Sequence, residues 1–258
     1  MSILQSTLLG VLQGITEWLP VSSQGQTVII MLNLMQIDPK AALSVSIFLH
    51  TGTMLAVLIR FRKDFLALLR PESKLLKMIV VATLSTAITA VPLLLFIKNV
   101  FETGEIATFL IGIMLIVTGI LLGTQRQKGS SYRSLDELTT KDMLFAGLAQ
   151  GFSIIPGISR SGTTITILLL RGIKQELALK LSFLMSVPVV LGAVLLFEIS
   201  EASMIAINDA FVMVLSSFIV GYVTMSILLR FAERVNFAIF CISLGGLTLL
   251  LSQVPFFV

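Results

Sequence analysis

Six stretches of this 258-residue chain contain no Asp, Glu, Lys or Arg: Ala41–Ile59, Met78–Ile97, Ile106–Gln125, Leu181–Phe197, Ala210–Leu229 and Val235–Val258. A helix needs about 20 mostly apolar residues to cross the hydrocarbon core of a bilayer, so the six read as full transmembrane helices. Composition excludes the soluble alternative. Charged residues make up 12% of the chain and apolar types 56%, whereas a soluble domain carries about 25% charged residues. The first basic residue is Lys40, so the N-terminus lacks the basic start of a cleavable signal peptide. One cysteine, Cys241, and one histidine, His50, leave no disulfide and no Cys/His zinc set to expect.

Two further apolar regions are not simple spans. Residues 1–37 are interrupted by Gly14, Glu17, Pro20 and the polar run Ser22–Gln26; residues 143–170 are interrupted by Pro156, Gly157, Arg160 and Gly162. Non-helical backbone at membrane depth survives only where it is buried in protein or lines a wet cavity. Each region therefore reads as a re-entrant hairpin, two short helices meeting at a polar tip and returning to the side they entered. With both hairpins returning and every full span switching sides, 15 of the 18 Lys and Arg residues fall on one face of the membrane. The others are Lys40 and Lys98 on the opposite face and Arg160 in the second tip. Short cytoplasmic loops are enriched in Lys and Arg, so the basic face is expected to be cytoplasmic and both termini extracytoplasmic.

The two interrupted regions match each other. At a constant offset of 137, Gly10, Gln13, Gly14, Ser22, Gly25 and Thr27 fall on Gly147, Gln150, Gly151, Ser159, Gly162 and Thr164 without a gap. Three crossings separate the hairpins, so the second enters from the opposite face. The expectation is an all-α polytopic membrane protein in a single domain, 1–258, with an inverted-topology repeat: repeat one 1–124 and repeat two 142–258, joined by a cytoplasmic loop 125–141. Such folds place their site near the midplane, where interrupted helices meet.

The tips concentrate polar chemistry. Gln13 and Glu17 are four apart and share a helix face. An ionised side chain at mid-membrane costs roughly 2.5–3.5 kcal/mol on insertion scales and marks function by default; Glu17 and Arg160, of opposite sign, could offset one another, and a buried ion pair that merely holds the hairpins together is the structural alternative. Small-residue turns and helix N-termini offer N–H groups to anions. Arginine grips phosphate in a bidentate fork, hydroxyls donate further bonds or attack, and a carboxylate beside an anion suits a bridging divalent cation or a general base. A phosphate reached from within a membrane is a lipid phosphate.

"QGITEWLPVSSQGQ" and "PGISRSGTT" resemble the two signature motifs of the undecaprenyl-diphosphate phosphatases, the bacitracin-resistance family, over nearly the whole chain. The resemblance implies hydrolysis of a polyprenyl diphosphate to the monophosphate and inorganic phosphate, recycling the glycan lipid carrier with magnesium or calcium. It implies Glu17, Ser23 (or Ser22) and Arg160 as the catalytic set, Glu17 and Gln13 for the metal, and Gln13, Gln26, Gly157, Ser159, Ser161 and Thr164 for the substrate. Two positions depart from the family pattern: Gln13 stands where many members have Glu, and Gln26 where many have a histidine implicated in catalysis. Glutamine is neither a general base nor a nucleophile. His50 is read as a helix-packing histidine, with compensation for the missing histidine as the alternative. A polyprenyl-phosphate transporter or flippase that lacks the reaction is the competing function. The expected partners are the lipid and the plasma membrane, with no nucleic acid; a homodimer is left open.

Overall fold

The computed structural model describes residues 1–68, 70, 72–100, 103–125, 133–201, 206–232 and 236–253. Arg126, Lys128, Arg234, residues 126–132 of the loop between the repeats and the end of the last apolar window lie outside them. The chain is helical throughout its regular structure: α1 Ile3–Thr16, α2 Ser23–Asn33, α3 Pro39–Arg60, α4 Arg62–Leu68, α5 Lys74–Val100, α6 Gly104–Gln125, α7 Thr140–Gly151, a 3₁₀ turn Phe152–Ile154, α8 Arg160–Leu170, α9 Gln175–Glu201, α10 Ile207–Ala232 and α11 Phe237–Leu251. Among the described residues five helices are long and apolar enough to cross a bilayer, α3, α5, α6, α9 and α10. The sixth expected window contributes α11, a helix of 15 residues. Large apolar side chains such as Leu84, Ile88, Phe211 and Val223 point outward, the surface expected of a multi-pass membrane protein.

Local sequence sets the helix starts. Ser2 caps α1 and Thr139 caps α7, each in a reciprocal box with the residue three further on, Gln5 and Asp142. Asp38 caps α3, with Pro39 in its first turn.

Packing runs in matched pairs. Helix α1 lies along α10 and α7 along α5; α2 packs on α3 and α8 on α9; α3 meets α9, and α6 meets α11. The repeated glycines make the first two of these pairs close. A Cβ on Gly14 would come within 2.8 Å of the Gly221 nitrogen, and one on Gly151 within 2.7 Å of the Thr86 carbonyl oxygen. Helices associate in lipid through such small-residue approaches.

Both helix pairs have their ends fixed. Asp142, in the first turn of α7, accepts from Arg171 Nε, just past α8, at 2.7 Å, and from Arg133 at 2.8 Å. In the first pair, Ser6 near the start of α1 donates to Asp209 at the start of α10 (2.9 Å), and Asn33 at the end of α2 donates to Thr108 at the start of α6 (3.3 Å). Trp18 anchors the first tip: its indole donates to the Gly221 carbonyl at 3.0 Å and its ring meets Phe183 edge-on.

Candidate functional site

The two tips, 17–22 and 155–159, are locked together before any ligand is considered. Ser22 takes a left-handed conformation (φ 58°) at the start of α2. Its hydroxyl oxygen accepts from Gly25 N at 3.2 Å, capping α2, and from Gly157 N in the other tip at 3.0 Å. Gly157 has φ 102°, and a Cβ there would sit 2.7 Å from the Ile111 carbonyl oxygen, so only glycine fits. Thr118 of α6 fixes the same turn, donating to the Gly157 carbonyl at 3.0 Å and accepting from Ser159 N at 3.2 Å. Ser159 caps α8 through Gly162 N at 3.1 Å.

On this frame a polar cluster forms around Glu17, which is 6% exposed. One carboxylate oxygen pairs with the Arg160 guanidinium. The other accepts from Ser23 Oγ at 2.8 Å and from Gln13 Nε2 at 2.9 Å. His50 of α3 completes the ring: Nε2 lies 3.3 Å from Glu17 Oε2 and 3.4 Å from Ser23 Oγ. Its Nδ1 is 2.7 Å from the Ser46 carbonyl oxygen. A carbonyl only accepts, so Nδ1 carries a proton and Nε2 is the atom turned to the site. Arg160 also donates to the Ser182 carbonyl at 3.3 Å.

Glu17, Ser22, Ser23, Gln24, His50, Ser153, Ser159, Arg160 and Ser161 line one polar cavity, with Leu19 and Ile158 at its edge. Gln24, His50, Ser153 and Arg160 are shared with a second cavity that continues between α5 and α9. With the solvent at their open mouths the polar one spans about 280 Å³ and the second about 530 Å³, so the apolar-walled space is the larger of the two.

The sequence-derived residues thus divide. Glu17, Ser22, Ser23, Arg160, Ser159 and Ser161 come together at the cavity. Gln13 is fully buried behind Glu17. Gly157 shapes the turn. Thr164 lies 2.6 Å from Ser182 Oγ and pins α8 to α9. Gln26 gives its amide to the Val21 carbonyl at 3.2 Å and is absent from both cavity walls; Gln24, two residues earlier, takes the wall position. The first turn of α2 decides this, since residues two apart face different directions. His50, Ser153 and Gln150 also enter the cavity walls. The sequence marked Gln150 as the match of Gln13 and His50 as a possible substitute for the missing histidine, but it carried no signal for Ser153 and none for which way the three side chains face.

For a divalent cation the donor set is small. Among the described residues no three of His, Cys, Asp and Glu cluster. Magnesium, however, is often held by one or two carboxylates completed by substrate phosphates and water. Glu17 lines the polar cavity, and Gln13 Oε1 is buried beside it with no partner. Gln13 borders neither cavity, so of the two only Glu17 is placed to reach a metal that shares its shell with a phosphate.

Residues 6–247 match the family model described as bacitracin resistance protein BacA. The chain is 54% identical to an undecaprenyl-diphosphatase of Methanothrix thermoacetophila over 99% of each chain. It is 40% identical to one of Methanococcoides burtonii (97% of this chain, 98% of the relative) and 35% identical to one of Sulfurisphaera tokodaii (98% of each).

Proposed function

The chain belongs to the bacitracin resistance protein BacA family, and from that premise we propose that it is a membrane phosphatase that hydrolyses a polyprenyl (undecaprenyl-type) diphosphate to the monophosphate and inorganic phosphate. The observation that carries this reading is the buried contact of Glu17, Ser23 and Arg160, drawn from two separate helix breaks into one polar cavity.

Arg160 supplies a fixed positive charge for the terminal phosphate, aided by the Ser159 and Ser161 hydroxyls. Ser23 Oγ, 2.8 Å from Glu17 Oε2, attacks the terminal phosphorus while its proton passes to that carboxylate. The bond to the bridging oxygen breaks and the lipid monophosphate leaves. Water then attacks the phosphoserine, releasing inorganic phosphate and returning the proton to Ser23. His50 flanks both groups and holds them in register. Ser22 contributes as a brace, because its oxygen already accepts from both tips. Glu17, backed by Gln13, would hold magnesium or calcium, which would supply charge neutralisation at the phosphate oxygens. Preformed placement of such groups in a site away from water is a principal source of catalysis.

The architecture that goes with this activity is six spans and two re-entrant hairpins in an inverted repeat, in the plasma membrane with both termini outside. Three observations support it. The start of α7 is ion-paired to the end of α8; the helix pairings exchange under the offset of 137; and Lys and Arg cluster on one expected face. The deciding experiment is phosphate release from a polyprenyl diphosphate by purified protein, with EDTA and with added magnesium or calcium. Metal-stimulated release supports the phosphatase; lipid binding without release points to the carrier instead.

A further inference from the structure

Two buried amides face the same cavity without complete partners. Gln150, near the end of α7, is 1% exposed and Gln24, in the first turn of α2, is 8% exposed; both line the larger cavity together with Arg160. Gln24 Nε2 and Gln150 Oε1 have no hydrogen-bond partner. Leaving a buried polar atom unpaired costs about 1–3 kcal/mol, so two on one cavity wall point to a ligand that bonds them. Gln150 is held from behind: its Nε2 donates to Thr86 Oγ1 at 2.9 Å, and that hydroxyl lies 3.0 Å from the Gly147 carbonyl oxygen. A hydroxyl both donates and accepts. Thr86 also reaches the Ala82 carbonyl oxygen at 2.8 Å; by moving its one proton from these carbonyls to Gln150 Oε1 it can turn Nε2 toward the cavity.

We propose that Gln24 and Gln150 form a second phosphate subsite, which holds the phosphate that stays with the isoprenoid while Ser23 works on the terminal one. The proposal rests on the phosphatase reading. The two linings carry it. Glu17 and Ser23 line the polar cavity alone, Arg160 and Gln24, with His50 and Ser153, border both cavities, and Gln150 lines the second, whose walls include the apolar Ile47, Ala90, Val189 and Val190. That set of environments matches a terminal phosphate, a bridging oxygen, a proximal phosphate and a hydrocarbon tail. Neutral amides also suit a group that must leave. Hydrogen bonds from charged donors are roughly twice as strong as neutral ones, and a second arginine here would retain the product.

The test uses the full-length protein, farnesyl diphosphate as substrate, and farnesyl monophosphate and inorganic phosphate as competitors. Gln150→Leu and Gln24→Leu, each checked for folding, are expected to raise KM about tenfold and to weaken inhibition by farnesyl monophosphate about tenfold, the loss of one hydrogen bond to a charged group. The fall in kcat should be smaller than the rise in KM, and inhibition by inorganic phosphate should keep its wild-type strength. Equal weakening of both competitors, or a fall in kcat with unchanged KM, would overturn the subsite. Gln150→Asn, which withdraws the amide from the cavity, serves if Gln150→Leu does not fold. If the wild-type protein releases no phosphate, the phosphatase reading fails separately. Calorimetric binding of farnesyl monophosphate then decides: about tenfold weaker binding by the variants upholds the subsite, and equal affinity overturns it.

Discussion

The two helix breaks share a sequence pattern and carry different side chains. What they share is scaffolding. Ser22 and Ser159 both cap the helix that follows. Gly14 and Gly151 both let a neighbouring helix approach. Thr27 and Thr164 both bond back to their own helices. What they do not share is chemistry. At the offset of 137, Glu17 falls on Ile154 (17 + 137), Ser23 on Arg160 (23 + 137) and His50 on Val187 (50 + 137). The first tip supplies a carboxylate and a hydroxyl, the second a cation. The matched positions build the frame, and the unmatched ones, Glu17, Ser23, His50 and Arg160, form the polar cluster.

The contrast is broken first at those reacting groups. Arg160→Ala and Glu17→Ala are each expected to lower phosphate release by roughly 10³-fold. Full activity in both, from folded protein, would end the assignment. Glu17→Gln should lose comparable activity with less harm to folding: both changes remove the counter-charge of Arg160, but glutamine keeps the side-chain volume and an acceptor oxygen for the guanidinium.

The adjacent serines sharpen the contrast. Ser23→Ala should cost at least about 100-fold in turnover. Ser22→Ala should act mainly on stability, by about 1–2 kcal/mol for a lost helix cap, read as a lower unfolding midpoint with most turnover retained per folded molecule. The reverse ranking would exchange their roles. Ser159→Ala, the matching cap in the second tip, should lose a similar amount of stability and also raise KM, because its hydroxyl lines the polar cavity beside Arg160.

A third comparison concerns how the helix pairs are tied. Asp142→Ala removes the buried carboxylate that Arg133 and Arg171 share at the start of α7 and is expected to cost about 1–3 kcal/mol, measured by denaturation in detergent. Ser6→Ala, which removes one neutral donor from Asp209, should cost about 1 kcal/mol. The smallest effect is expected from Gln26→Ala, less than about threefold in turnover, because its amide serves the Val21 carbonyl. A hundredfold loss there would put Gln26 back in the site.

Much of this was legible in the chain alone. Charge-free windows announce membrane helices because hydrocarbon excludes unpaired charge, and Pro20, Gly157 and the polar runs announce breaks because backbone groups freed at membrane depth need partners. The gapless match at 137 brought Glu17 and Arg160 under suspicion together. Other features were decided only by the fold. Neighbours in sequence, Ser22 and Ser23, differ in role because one oxygen accepts N–H groups from both tips while the other faces Glu17. Gln24 and Gln26 differ by their positions on a single helical turn. His50 and Gln150 lie far from the first tip in sequence and reach its cavities through packing of α3 and α7. Composition and periodicity report which residues avoid water; which buried atoms meet one another depends on helix crossings between segments more than a hundred residues apart, and no local pattern encodes that.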